Sequence, residues 1–156
     1  MILGLNAKLY YLSSGTRAAW PGDGVGAAPE NLTEITKARD VNLRLEKGEA
    51  TATDRSAGGW EKVAATLKTA VIETDLTYET ANAAVAALRD AFLNNTTIAI
   101  AALDGNKDTV GAEGLWADFE VLQFSRNEPL TDGLTVHVVL KPAYTSVNPE
   151  WVTVAT

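Results

Sequence analysis

The thirteen residues TLKTAVIETDLTY, Thr66 to Tyr78, alternate in hydropathy with a period of two. Ile72, Leu76 and Tyr78 fall on one side; Glu73, Asp75 and Thr77 fall on the other. Successive side chains of a strand point to opposite faces, so the pattern predicts a half-buried strand with one polar face. The residues that follow change period. Thr80 is positioned to cap a helix, and Val85, Leu88 and Phe92 come at spacings of three and four in an Ala-rich stretch ending at Asn94 and Asn95. A single helix over about 80–94, lying against a sheet, is expected.

Working outward, the period of two returns on both sides. Ala7, Leu9 and Tyr11 share a face, and Val41, Leu43 and Leu45 alternate with Asn42, Arg44 and Glu46. Beyond the helix, TIAIAAL reads as a buried strand. Leu115, Ala117, Phe119 and Val121 then alternate with Trp116, Asp118 and Glu120, and Leu134, Val136, Val138 and Leu140 repeat the pattern until Pro142 removes a ladder donor. This is a mainly β chain: a β-sandwich or barrel of six to eight antiparallel strands with one flanking α-helix, forming a single domain over 1–156. Two long loops are expected, at about 13–33, rich in Gly, Ala and Pro, and at about 47–62.

The second loop contains EKGEATATDRSAGGW, Glu46 to Trp60, which offers nothing to a core before Trp60. Hairpin connections usually take about 2–5 residues. So long a polar excursion is disordered, functional, or ordered by something outside the chain.

Composition narrows the function. The 156 residues contain no cysteine, which excludes disulfides, thiolate metal sites and thiol nucleophiles. Neither a secretion leader nor a run of ~20 apolar residues is visible, so membrane insertion is not expected. The net charge of −7 opposes tight wrapping of nucleic acid. It is also uneven: Met1 to Lys68 holds 9 basic and 8 acidic residues, Thr69 to Thr156 holds 4 and 12.

Catalytic and metal motifs fare poorly. His137 lies between Val136 and Val138 and so points away from the apolar face. Asp118 and Glu120 share a strand face, as an acid/base pair would, but strand carboxylates are usually just solvated. DGNKD, Asp104 to Asp108, imitates the first half of a calcium loop, yet Thr109 stands where the sharp turn needs Gly and Leu115 where a bidentate Glu belongs. Asn31-Leu-Thr and Asn95-Thr-Thr match glycosylation sequons with no secretion signal to use them. No cofactor is expected, and no enzyme. Trp20, Trp60, Trp116 and Trp151 are either lids over a core or interface anchors. Binding or assembly remains, one form of it being a monomeric small-ligand-binding β-barrel with tryptophans lining the pocket.

The runs ATATDRSAGGW, ATLKTAVIETDLTY, the helix ending RDAF, IAIAALDG and LQFSRNEPLTDGLTVHVVLKP together resemble the major tail tube proteins of long-tailed bacteriophages. The likeness extends from about Leu9 to Thr153. Related architectures are the tubes of contractile phages, type VI secretion systems and gene transfer agents. The resemblance implies a β-sandwich that closes into homohexameric rings, the rings stacking into a hollow tube that delivers double-stranded DNA without binding it tightly. It implies a place in the virion tail after assembly in the host cytoplasm. Its partners would be the tail initiator or baseplate, the tape measure and the tail terminator. On this reading Glu73, Asp75, Asp118 and Glu120 are candidates for an acidic lumen, and Glu49, Thr51, Thr53, Asp54, Arg55 and Trp60 for contacts between rings.

Overall fold

A computed structural model of the chain describes residues 1–156, Ala57 by its backbone alone. The strands are β1 (Lys8–Leu12), β2 (Val25–Gly26), β3 (Leu32–Glu34), β4 (Ala38–Thr51), β5 (Val63–Thr77), β6 (Ile98–Leu103), β7 (Glu113–Asn127), β8 (Thr135–Pro142) and β9 (Glu150–Val154). The helix α1 (Ala83–Leu93) lies between β5 and β6 in the chain. The sheet runs β3-β1-β6-β7-β8-β5-β4, with β9 also on β7 and β2 beside β9. It does not close. Every pairing is antiparallel except the short β2–β9 pair, which is parallel.

The fifteen-residue β7 joins two layers. Its first part lies between β6 and β9, Leu103 opposite Gly114 and Trp151 opposite Leu115. Its second part pairs with β8, from Phe119–Pro142 to Asn127–Thr135. Gly114 permits the close β6 contact, since a Cβ there would lie 1.7 Å from the Ala102 carbonyl oxygen. Between the layers, Ile72, Leu76, Phe119, Val136, Val138 and Leu140 pack against Val85 and Leu88 of α1. A second core, on the far side of β1, β6 and β7, gathers Tyr10, Trp20, Trp116, Val152 and Val154. With a core on each side, β6 is buried at all six positions, as its unbroken apolar run predicts.

The structure revises several expectations. There are nine strands, because beyond the six that the pattern marks the segment 13–33 contains β2 and the start of β3 and pins Trp20 into the second core, and Glu150–Val154 forms β9. The segment 47–62 begins as ladder: β4 continues to Thr51 and β5 starts at Val63, leaving 52–62 as the connection. Alternation is invisible from Lys47 to Thr51 because Lys47, Gly48, Glu49, Ala50 and Thr51 give no apolar contrast. The helix is capped by Asn82, not Thr80; the Asn82 side-chain oxygen accepts from the N–H groups of Ala84 and Val85. Ala91 takes the buried position expected of Phe92, which is exposed.

Candidate functional site

The second part of β7 with β8, β5 and β4 makes a four-stranded sheet whose inner face covers the first core. Its other face is bare. Register places Arg44 beside Val71 and Lys141 beside Glu120, then Asn42, Glu73, Val139 and Gln123 in one row, then Asp75, His137 and Ser125. Glu46 extends the row of Arg44 along β4. The face thus carries four carboxylates, Glu46, Glu73, Asp75 and Glu120, against the fixed cations Arg44 and Lys141. Asp75 Oδ1 sits 2.8 Å from His137 Nδ1, and Arg44 lies 3.5 Å from Glu46 and 3.8 Å from Glu73. The wall is mixed in sign with a carboxylate excess.

Both edges of this sheet are open. β4 has no strand beyond it, and β6 leaves β7 at Phe119, so β7 residues 120–127 are paired on the β8 side alone. A bulge at Leu122 interrupts that second edge. Val41 and Leu45 of β4 are exposed although their alternation is apolar. Unpaired N–H and C=O groups along such edges favour strand addition.

β5 pairs with β8 only from Ile72 onward, so residues 63–71 are held by β4 alone. This is a two-stranded arm about 30 Å long, a form marginally stable in water by itself. A bulge between Lys47 and Glu49 bends it, and Gly48 fits there because a Cβ would meet Thr66 Oγ1 at 2.4 Å. Of the residues expected between rings, Glu49 and Thr51 lie on β4 in this arm and Thr53, Asp54, Arg55 and Trp60 at its tip. The tip has its own bonds. Thr53 Oγ1 accepts from the Lys62 N–H at 2.8 Å and donates to the Lys62 carbonyl at 3.1 Å. Asp54 accepts from the Ser56 N–H at 2.8 Å and from its hydroxyl, capping a short 3₁₀ turn, and Gly58 and Gly59 take the left-handed conformations that reverse the chain. Trp60 is 76% exposed.

Asp118 separates from the other carboxylates. Its Oδ2 accepts from Arg17 Nε at 3.0 Å, and the arginine side chain is wholly buried. Arg17 also donates to the carbonyls of Val147 and Asn148, approaches Glu150 at 3.8 Å and lies over the Trp116 ring. Trp116 meets Trp20 edge to face at 5.7 Å between ring centres, and the two indole N–H groups donate to Ala18 and Gly26 carbonyls. Sequence reading missed Arg17 because no local pattern marks a contact made across a hundred residues.

The Asp104–Asp108 segment is a turn built by its own side chains: Asp104 accepts from the Glu113 N–H and Asn106 from the Asp108 N–H, both at 2.9 Å. No group of three metal-ligating side chains is gathered among the described residues. Beside that turn the Tyr10 hydroxyl accepts from the Lys107 N–H, and burial pushes its ionisation above the usual range. Tyr78 shifts the other way, chiefly because Arg126 bonds its oxygen, with the guanidinium over its ring.

No protein-family model and no curated protein matches the chain. Solved structures do. The chain is similar to one in the virion of a native gene transfer agent particle, with TM-score 0.67, 12% identity and 98% of each chain covered. It is similar to one in the tail of an empty gene transfer agent particle of C6 symmetry, with TM-score 0.65, 14% identity, and 96% and 95% covered. A third is the SPP1 tail tube, with TM-score 0.69, 13% identity, and 98% of this chain and 80% of that chain covered. The fold is therefore that of the subunits of tails and tail tubes. Within that class this chain has the fold of a phage-type tail tube protein over nearly its whole length.

Proposed function

We propose that this chain is the structural subunit of a virion tail tube, with no catalytic role. Copies join side by side into homohexameric rings, and the rings stack into a hollow tube for DNA delivery. The observation that carries this reading is the pair of open edges on one four-stranded sheet. Strand directions alternate across β7, β8, β5 and β4, so β4 of one subunit meets the 120–127 edge of the next in antiparallel fashion. Repeating that head-to-tail contact closes a ring and leaves no edge exposed.

The layer containing β1, β6, β9 and α1 is bulky and lies only on the core side of this sheet. Edge-to-edge closure puts that bulk at the larger radius and turns the bare face inward. Six copies give a wall of about 24 strands, roughly 115 Å around at ~4.8 Å per strand. Glu73, Asp75 and Glu120 then face the lumen with Glu46, and their excess over Arg44 and Lys141 lets duplex DNA slide, since carboxylates repel phosphate. Asp118, held by Arg17, is assigned a structural part. The arm carries Glu49, Thr51, Thr53, Asp54, Arg55 and Trp60 to the adjoining ring. Initiator, tape measure and terminator proteins are the partners such a tube needs at its ends and inside it.

The test is sedimentation velocity over a range of concentrations with negative-stain microscopy of the concentrated protein. Rings or tubes of one diameter are expected. A monomer at every concentration would overturn the proposal and favour the small-ligand barrel, which the unclosed sheet and the mutual packing of Trp20 and Trp116 do not support.

A further inference from the structure

Where the arm leaves the body, an open groove runs between its inner face and β9. Leu45, Ala70, Leu115 and Trp151 give it an apolar lining, and its charged residues are Lys47, Lys68 and Glu46, the last of them paired with Arg44 at 3.5 Å. Leu45 and Trp151 are each half exposed. Lys47 and Lys68 are direct cross-strand partners, and neither meets a carboxylate among the described residues. Like charges directly opposed destabilise a ladder. The groove therefore asks for an apolar side chain flanked by negative charge.

The chain supplies one at its other end. The β7–β8 connection, Glu128-Pro-Leu-Thr-Asp-Gly, holds Leu130 fully exposed, between Glu128 and Asp132. Asp132 has no ionic partner among the described residues, while Glu128 is tied to Arg126. This connection lies beyond Asn127 and Thr135, whereas the groove lies beyond Pro142 and Ala70, so the two occupy opposite ends of one sheet. A subunit cannot fill its own groove.

We propose that the groove receives the Leu130 knob of a second copy of this chain in the adjoining ring, with Asp132 set against Lys47 and Lys68. The inference rests on the stacking proposed above. It adds a second, body-to-body contact that fixes which end of a ring faces its neighbour, because groove meets knob and neither end meets its like. Pro129 limits the backbone freedom of the loop, which lowers the entropy lost on docking.

Because the chain has no cysteine, a Leu45→Cys, Leu130→Cys double variant reports the contact directly. Oxidised tubes of that variant should run as a ladder of linked chains on a non-reducing gel, with neither single variant doing so. An independent arm uses charge: Asp132→Lys should raise the concentration needed for tubes by about fivefold or more, and adding Lys68→Asp should restore most of it. Wild-type tubes with no ladder in the double variant, or an Asp132→Lys variant that assembles as wild type does, would overturn this contact and leave the tube itself standing. A wild-type chain that never forms rings would instead remove the stacking on which it rests.

Discussion

Arg17 Nε donates to Asp118 Oδ2 at 3.0 Å across 101 residues of sequence, and the arginine side chain has no solvent exposure. The pair fastens the 13–24 segment over β7, beside the Trp20–Trp116 contact. Removing the carboxylate would leave a buried cation with Glu150 at 3.8 Å as its remaining ionic neighbour. Breaking a buried pair from one side typically costs about 3–5 kcal/mol. Asp118→Ala should lose stability on that scale in urea unfolding of the monomer, while Glu120→Ala should stay within roughly 0.5 kcal/mol. Equal effects would contradict the division of these two neighbours into structural and surface roles.

The bare face makes a different demand. Changing Glu73 and Asp75 together to Lys should leave tubes intact, because neither residue is in a core or at an open edge. It reverses the sign of the wall, so genome delivery should slow or stop, more severely at low salt. Particles carrying the double variant and delivering DNA normally would show that this face does not line the channel.

The arm can be shortened without touching the body. Replacing Thr53–Glu61 by Asn-Gly joins Ala52 to Lys62, which already share a backbone hydrogen bond, through a turn suited to a two-residue hairpin. The variant should keep the melting temperature of the wild-type monomer within about 2 °C. Microscopy should find rings without long tubes; tubes of ordinary length would show that the tip is dispensable for stacking.

Tyr10 links stability to alkaline pH. Burial raises its folded-state pKa above the unfolded value near 10. A raised value contributes stability that is complete below the unfolded pKa and is lost as pH rises through the folded one. Stability should fall above about pH 10, and Tyr10→Phe should flatten that fall while losing the bond to Lys107 at neutral pH. A chemical-denaturation series from pH 8 to 11 decides it; an unchanged slope in the variant would assign the loss to other groups.

Alternation located β5, β7 and β8 and the faces of Ile72, Glu73, Asp75 and His137, because each of those strands borders one core and one bare surface. It failed wherever that condition failed. Trp116 and Asp118 share a face with Glu120, but the 13–24 segment and β9 cover only the first two, and nothing near residue 118 announces Arg17. In the β4 half of the arm, Lys47 to Thr51, the positions are Lys, Gly, Glu, Ala and Thr, so that stretch of ladder leaves no hydropathy trace and reads as loop. Which edges stay open depends on where β6 and β8 stop, a matter of register that no single strand encodes.

The central claim is that β4 of one subunit continues the sheet at β7 residues 120–127 of the next. Cryo-electron microscopy of assembled tubes, at a resolution that separates strands, tests it most directly. The account predicts an unbroken wall of about 24 strands, with the Glu73 and Asp75 face toward the axis and α1 outside. A wall in which β4 remains unpaired, or in which that face lies on the exterior, would contradict it.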